Sequence, residues 1–390
     1  MKGNAMISCL HTKDRTINQT LQAFFVQVLE KKAADAVLVS AQVADGASVK
    51  PCLISHPDHM HHTVPLGPAF FVNTGRMVSR LTWKPSGKKT AVWLRPCEIK
   101  AFVELTKLSQ ASRDEVIILG MDCPGALSRE DYDRFAQQEK TDPVAQEEWI
   151  RNRYSDPGNT IAGFTPARAC QVCDAPWPVN ADVSVLLFGS DLDRTINLKA
   201  DTPKGEAFLS ELQLDEGQKP DTRKSVMQNI GTENANAFQA MDAQIQEQTG
   251  SMEKLHRFFT ACINCYNCRN VCPACYCREC VFNTDVFVHQ PFQYHQWAGK
   301  WGQVHLPFDT VFYHMTRMAH IGTTCVGCGQ CTLACPSHIP LADLFISVSR
   351  NVQAAFGYTP GKDDADPLPL AVFQEAEFAE IVGMGDGEAT

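Results

Sequence analysis

The chain has 390 residues, of which 44% are hydrophobic and 20% charged, so it predicts two or three globular domains and excludes global disorder. Its net charge of −9 argues against a nucleic-acid-binding protein, because phosphate recognition requires a basic surface. No apolar run is long enough to span a bilayer and the N-terminus lacks a secretory pattern, so we expect a cytoplasmic location and no transmembrane segment.

Residues 1–203 have the pattern of an α/β domain. Apolar residues recur at helical spacing from Thr16 to Lys32, which predicts the first helix. Short apolar runs predict strands, and a second helix, over 98–110, follows one of them. The strands are expected at 36–43, 90–95, 116–120, 183–189 and 195–199. Alternation of strand and helix favours a parallel or mixed sheet.

The rest of the chain divides by composition. Residues 204–254 are polar and helix-permissive, which predicts a helical linker. Residues 255–350 hold most of the cysteines, and we expect an α+β dicluster ferredoxin-like domain there, with an insert over 273–324. The tail, 351–390, is acidic and carries one amphipathic stretch from Val372 to Val382. It is either a frayed terminus or an arm that docks on a partner subunit.

Seventeen cysteines in a chain expected in a reducing compartment favour metal binding over disulfide bonds. Eight of them form two copies of the pattern C-x2-C-x2-C-x3-C, each followed by proline, a signature of paired 4Fe–4S clusters. Zinc ribbons use paired C-x2-C units, which makes zinc the weaker alternative. The two copies are Cys262, Cys265, Cys268, Cys272 and Cys325, Cys328, Cys331, Cys335.

The spacing also predicts how the two copies share their ligands. Three thiolates from one tight loop face the same centre, and the fourth reaches the other cluster. One cluster is therefore expected on Cys262, Cys265, Cys268 and Cys335. The second is expected on Cys325, Cys328, Cys331 and Cys272.

Three further cysteines, Cys275, Cys277 and Cys280, open the insert. They either form part of a fourth metal site, completed by Cys9, Cys52 or a histidine, or pack as buried thiols beside the clusters.

Four cysteines of the α/β domain lie where strands are predicted to end. Carboxyl ends of neighbouring strands meet at one edge of an open sheet, and a helix N-terminus favours the thiolate form of cysteine. A third 4Fe–4S cluster is therefore predicted there. The alternative is a C-x2-C redox pair with two structural thiols. The four are Cys97, Cys123, Cys170 and Cys173.

Signals for other ligands are weaker. No G-x-G-x-x-G follows a strand, so a Rossmann dinucleotide site has no support. Asn73, Thr74 and Gly75 are a candidate phosphate nest, with Arg76 and Arg80 to pair its charge; the alternative is an ordinary turn before a helix with exposed arginines.

Two groups of histidines have both a structural and a functional interpretation. The HPDHMHH run, with His56, His59, His61 and His62, favours a polar loop over a metal site. His314, Arg317 and His320 share one face of a predicted helix. They either pack structurally or hydrogen-bond to cluster sulfur.

Three segments together resemble a known family. AVWLRPCEIKAFVELTKLSQ, VIILGMDCPGALS and CQVCDAP, with HMTRMAHIGTTCVGCGQCTLACPSHIPLADLF near the carboxyl end, resemble the beta subunits of deazaflavin (coenzyme F-420)-dependent hydrogenases and formate dehydrogenases and their bacterial relatives. The resemblance covers roughly residues 65–350. It implies one FAD in the α/β domain, beside a cluster on that domain's own cysteines.

These observations predict an electron-transfer subunit of an anaerobic redox complex. Its partner is expected to be a formate dehydrogenase, a hydrogenase or a heterodisulfide-reductase-like flavoprotein, and its hydride carrier a deazaflavin, a nicotinamide or a ferredoxin-linked pool. Two alternatives stay open at this point. One is a self-sufficient flavin oxidoreductase, and the other is a flavin-free conduit that carries clusters only.

Overall fold

The strands of the α/β region assemble into one sheet. The computed structural model describes residues 6–43, 48–141, 143–155 and 163–372. Its strands are β1 (Ile7–His11), β2 (Ala36–Gln42), β3 (Val49–Ile54), β4 (Thr90–Leu94), β5 (Val116–Met121), β6 (Val183–Leu186), β7 (Thr195–Ala200) and β8 (Asp215–Glu216). They pair in the order β3-β2-β4-β5-β6-β7-β1-β8. Strands β2, β4, β5 and β6 run parallel and the others pair antiparallel, which confirms the mixed sheet.

The helices of the α/β region are interspersed with these strands. They are α1 (Ile17–Glu30), α2 (Thr74–Leu81), α3 (Pro96–Lys107), α4 (Arg129–Thr141), α5 (Pro143–Ser155), α6 (Arg168–Gln171) and α7 (Pro203–Leu212). The helix α1 begins where the Thr16 hydroxyl accepts the Gln19 N–H and the Gln19 side chain accepts the Thr16 N–H, a capping box.

Both faces of the sheet are covered, as the apolar strand sequences require. In β4, Ala91 and Trp93 enter the larger core, whereas Val92 and Leu94 enter a smaller one on the opposite face. This alternation follows from the two-residue period of a strand. The smaller core includes Phe102 and packs α2 and α3 against the sheet.

The α/β unit reaches further along the chain than residue 203. Phe208 and Leu209 of α7 lie in the larger core, and β8 pairs with β1 at the sheet edge. The predicted linker therefore contributes to the α/β unit as far as Glu216, and Ile230 further along also lies in the larger core. The long helix α8 (Arg223–Thr249) contains Ile230, and its first residue, Arg223, binds Asp122 beyond the end of β5.

The cysteine-rich region is helical. Its helices after α8 are α9 (Met252–Phe258), α10 (Asn267–Asn270), α11 (Pro291–Trp301), α12 (Thr310–Ile321), α13 (Gln330–Leu333) and α14 (Leu341–Ala355). No strand occurs between residues 217 and 372, so the α+β prediction for this region is wrong. Each cysteine motif forms a loop and one helical turn, and the insert folds as helices α11 and α12 rather than as strands.

Within the described ranges, no helix is long and apolar enough to cross a membrane.

The described part of the tail lies on the chain's own α/β unit. Tyr358 Oη donates to Glu104 Oε1 at 2.6 Å, and the Gly361 N–H donates to the same oxygen at 2.8 Å. Arg113 pairs with Asp364 at 2.5 Å. These contacts anchor the tail as far as residue 364, whereas the predicted amphipathic stretch continues past residue 372, outside the described residues.

Candidate metal centres

Four cysteines converge at the carboxyl edge of the parallel strands. Cys97 follows β4 at the start of α3, Cys123 follows β5, and Cys170 and Cys173 come from α6 and the residue pair after it. All four line one cavity of about 320 Å³. We call Cys97, Cys123, Cys170 and Cys173 the sheet-edge quartet.

A buried arginine compensates charge at the sheet-edge quartet. Arg95 is 8% exposed, and its Nη1 donates to Cys123 Sγ at 3.3 Å. Its Nη2 donates to the carbonyls of Gly67 and Ala69 at 2.7 and 3.0 Å, which fixes the guanidinium. Although burial opposes it, negative charge on Cys123 raises the pKa of Arg95 above its usual value. The arginine is therefore a permanent cation beside a thiol.

Burial is the main reason why Cys170 and Cys173 are poor anions. It raises the pKa of Cys170 to about 11 and that of Cys173 to about 12. A metal ligand must be a thiolate, so a positive centre in this cavity would displace the protons. The donor set of four thiols beside one cation fits a metal–sulfur group, since such groups take sulfur ligands and hydrogen bonds to sulfur.

The two ferredoxin-like motifs exchange their fourth cysteines. Cys262, Cys265 and Cys268 line a small cavity together with Cys335 of the second motif; we call these four the outer quartet. Cys325, Cys328 and Cys331 line another cavity with Cys272 of the first motif; these four are the inner quartet. Cys328 also lines the cavity of the sheet-edge quartet, so it lies between two of the three sites.

The spacing of these thiols does not suit a single metal ion. Among the residues that the structure describes, no group of three or more His, Cys, Asp or Glu is close enough to hold one. A cubane carries its four irons at separate corners, so its thiolates stand further apart than those around one zinc. The quartets therefore fit a 4Fe–4S cluster better than a single zinc ion.

Helix α12 brings polar side chains to the outer quartet. Arg317 Nη1 donates to Cys268 Sγ at 3.2 Å, and Tyr313 Oη lies 3.4 Å from the same sulfur. His314 Nε2 lies 3.4 Å from Cys262 Sγ. His320 is exposed. Of the three residues predicted on this helix face, His314 and Arg317 therefore contact sulfur. This agrees with the interpretation that the face hydrogen-bonds to cluster sulfur.

The His314 ring is neutral at pH 7. It is fully buried and stacks on Phe259 with ring centroids 4.2 Å apart. Burial first, and the Arg317 cation second, lower the pKa of His314 to about 3. A thiolate only accepts hydrogen bonds, so with Cys262 as a metal-bound thiolate the contact would require the proton on Nε2.

The residues predicted to bind flavin phosphate are mostly engaged in packing. The Thr74 N–H donates to Glu98 Oε1 at 2.7 Å, and a Cβ at Gly75 would lie 2.3 Å from the Glu98 carbonyl oxygen. Arg76 donates to the carbonyl of Asn270. None of the five lines the 320 Å³ cavity. Asn73 is buried, and Arg80 is exposed. The flavin contacts of these residues stay a prediction. Within the candidate nest, the Thr74 N–H already donates to the Glu98 carboxylate.

The extra cysteines do not meet their predicted partners. Cys9 is on β1 and Cys52 on β3, near opposite ends of the sheet. Cys275 packs in the helical core, where a hydrogen bond with the Cys272 side chain and burial raise the pKa of the Cys275 thiol. Cys277 is exposed. This arrangement favours packing over a fourth metal site.

The histidine run forms a short 3-10 helix rather than a flexible loop. The helix Pro57–His62 is anchored by buried Met60, and its four neighbouring histidines are exposed. Its imidazoles belong to no metal group in the described part of the chain.

Three residues that take part in these sites were not predicted from the sequence. Arg95 precedes Pro96 and Cys97 at the end of β4, a position that could have marked it. Tyr313 is adjacent to His314, but its contact with Cys268 depends on tertiary packing. The Asp122 carboxylate, next to Cys123, accepts the N–H groups of Leu187 and Phe188 at 2.8 and 2.9 Å; no spacing in the sequence predicts this.

Comparison with known proteins finds similarity to beta subunits of hydrogenases and formate dehydrogenases. Residues 87–222 match the sequence model for the C terminus of the coenzyme F420 hydrogenase/dehydrogenase beta subunit. The F420-dependent formate dehydrogenase subunit beta of Methanocaldococcus jannaschii is 26% identical, over 88% of this chain and 92% of that protein. The F420-dependent formate dehydrogenase 1 subunit beta of Methanococcus maripaludis is also 26% identical, over 89% of this chain and 92% of that protein.

A chain in a xenon derivative of the F420-reducing NiFe hydrogenase complex of Methanosarcina barkeri is 15% identical, with a TM-score of 0.42 over 64% of this chain and 94% of that one. The matching sequences confirm the resemblance drawn from the motifs: this chain is similar to the beta subunits of coenzyme F420 hydrogenases and dehydrogenases, and its residues 87–222 match the model for their C terminus.

Proposed function

We propose that this chain is the electron-transfer subunit of an anaerobic redox complex, with FAD and three 4Fe–4S clusters, one for each cysteine quartet. It would pass electrons between a hydride carrier and a partner's catalytic subunit of formate dehydrogenase, hydrogenase or heterodisulfide-reductase type. The observation that carries the proposal is the arrangement of the quartets. Each lines its own cavity, and Cys328 lines two of them.

The cofactors would supply the electron chemistry, since a flavin accepts a hydride whereas a cubane carries one electron at a time. The protein's own residues hold the ligands in place and exclude water. Arg95 offsets negative charge at Cys123, as Arg317 does at Cys268. Phe188 and Ile230 are apolar residues in the wall of the sheet-edge cavity, and both are buried.

The relatives support the coarser part of the proposal, because they are beta subunits of F420-dependent formate dehydrogenases. The FAD rests on the resemblance alone. Of its five predicted contacts, four are buried or held in other contacts, and only Arg80 has an exposed side chain. A flavin-free conduit is therefore the second candidate, favoured by the use of the Thr74 amide in helix packing.

Anaerobic purification followed by iron, zinc and flavin determination tests the proposal. About 12 irons and one FAD per chain are expected, four irons for each quartet. About 12 irons without flavin would establish the conduit instead. Zinc bound to the quartets, or a protein without metal, would overturn both. The partner can be sought by measuring whether formate or hydrogen reduces the chain only when a catalytic subunit is added.

A further inference from the structure

The insert between the two cysteine motifs directs one helix face at one quartet. Tyr313, His314 and Arg317 of α12 are 1%, 0% and 3% exposed, respectively. Arg317 lies four positions after Tyr313 and three after His314, and residues at these spacings lie on the same side of a helix, so Arg317 shares a face with each of them. Their polar atoms lie within 3.4 Å of Cys262 or Cys268 sulfur. The insert therefore gives the outer quartet three side-chain contacts to sulfur, one from a cation.

The other two quartets have fewer side-chain contacts to their sulfurs. At the sheet-edge quartet, Arg95 contacts Cys123 sulfur, and the Ala126 backbone N–H lies 3.4 Å from Cys170 sulfur. At the inner quartet, Arg317 lines the cavity wall, so its charge acts there as well, but its hydrogen bond to sulfur goes to Cys268 of the outer quartet. Among the described residues, the outer quartet thus has three side-chain contacts to sulfur, from Arg317, Tyr313 and His314.

Arg317 is held firmly enough to act as a fixed charge. Its Nη2 donates to the Cys268 carbonyl at 3.2 Å, and its guanidinium lies 4.6 Å from the centre of the Phe345 ring. Arginine stays protonated when buried, and its planar guanidinium keeps its orientation between such partners. Tyr313 packs edge-on against Tyr266 and Phe282, which fixes the position of its hydroxyl.

The outer quartet also lies nearest to solvent. Cys265 is exposed, and its neighbour Ile263 is 63% exposed, whereas Cys272 of the inner quartet is buried. Cys328 places the inner quartet beside the sheet-edge quartet. An electron that enters at the sheet-edge quartet would therefore leave the chain through the outer quartet.

We propose that α12 makes the outer quartet the site of highest reduction potential, and hence the exit to the partner subunit. The inference rests on the proposed function, because it requires a redox group at each quartet. Reduction adds one electron and no proton to such a group, and no bond breaks. Hydrogen bonds to sulfur and a nearby cation stabilise the added negative charge, so they favour reduction where they are most numerous.

A redox titration of the anaerobic full-length chain, followed by electron paramagnetic resonance, tests this inference. In the wild type, one signal should be reduced first, and Cys265→Ser should change or remove that signal. Arg317→Gln should lower its reduction equilibrium constant at least about tenfold, equivalent to 59 mV for one electron. Tyr313→Phe should shift it in the same direction by less. Because Arg317 also lines the inner cavity, Arg317→Gln should lower the inner midpoint too, by less, whereas Tyr313→Phe should leave the inner and sheet-edge midpoints unchanged.

Tyr358→Phe is the matched control, since its hydroxyl binds Glu104 and it belongs to no quartet. It should move no midpoint. The inference is overturned if Tyr313→Phe leaves the first-reduced signal unchanged, if all three midpoints shift together, or if Cys265→Ser affects a signal that is reduced later. Should Arg317→Gln fail to take up iron, Tyr313→Phe still decides. A wild-type protein with no iron–sulfur signal would refute the proposed function itself, a different result.

Discussion

The buried ion pair between Asp122 and Arg223 joins the helical part of the chain to the sheet. Asp122 is fully buried, Arg223 is 6% exposed, and both guanidinium nitrogens bind the carboxylate, Nη2 at 2.7 Å. Arg223→Met would keep most of the side-chain volume but leave the carboxylate with only the N–H groups of Leu187 and Phe188. Removing one partner of a buried pair costs about 3–5 kcal/mol, so we expect a loss of that size.

Urea unfolding of the anaerobic protein, followed by circular dichroism, measures this loss from the shift of the midpoint and the slope. The control is Arg257→Met, which breaks the exposed pair with Glu253 and should cost less than about 0.5 kcal/mol. Asp122→Asn removes the charge but keeps an acceptor for the two N–H groups. The double variant with Asp122→Asn should therefore be more stable than Arg223→Met alone. Equal stability of the two would refute the argument from an unpaired charge.

Three further predictions concern other parts of the chain. Gly75→Ala should destabilise the flavin-free protein by about 1–3 kcal/mol in urea unfolding, because its Cβ would lie 2.3 Å from the Glu98 carbonyl oxygen; an unchanged midpoint would contradict the packing role. The N–H groups of Ser86 and Gly87 and the Ser86 hydroxyl lower the pKa of Glu115 below 4.5. Its charge therefore stabilises the fold above that pH, and the contribution disappears as the pH falls through the lowered pKa, so Glu115→Gln should flatten the acid side of the stability curve. Cys123→Ala should remove about four irons per chain and leave about eight, measured by iron analysis; a full loss would show that the quartets do not load independently.

The parallel strands can be predicted from the sequence because they are buried on both sides. The apolar runs predict the parallel strands β2, β4 and β5, and also the antiparallel β7, within one or two residues of their observed ends, since apolar runs between helical segments have few other solutions. Strand β6 ends at Leu186 rather than at residue 189, because the next two N–H groups donate to the Asp122 carboxylate instead of a neighbouring strand. That bond depends on a residue 65 positions away.

The edge strands escaped prediction. Strand β3 contains Lys50 and Pro51 and has several exposed side chains, so its sequence lacks a clear apolar pattern. Proline and lysine are typical of edge strands, where one row of N–H groups needs no partner. The α+β expectation for the cysteine-rich region failed for another reason. The ligand spacing specifies loops around a centre, but it does not specify what the intervening insert forms.

The part of the site that could be predicted from the sequence is the part that residue spacing determines. The grouping of the cysteines follows from two short motifs, whereas the residues that contact their sulfurs come from distant elements. Arg317 lies 49 positions from Cys268, and His314 lies 52 from Cys262. Such contacts depend on how α12 packs over the first motif, which no local pattern encodes. Gly75 shows the converse, because a residue predicted from a local motif to bind flavin phosphate also has a packing role that the motif does not reveal.

Native mass spectrometry of the anaerobically purified chain tests the central claim most directly. The account predicts a mass that exceeds the polypeptide by three units of four irons and four sulfides, with serine substitution of one cysteine in a quartet removing one unit. A chain of bare polypeptide mass, or one that carries zinc alone, would contradict it.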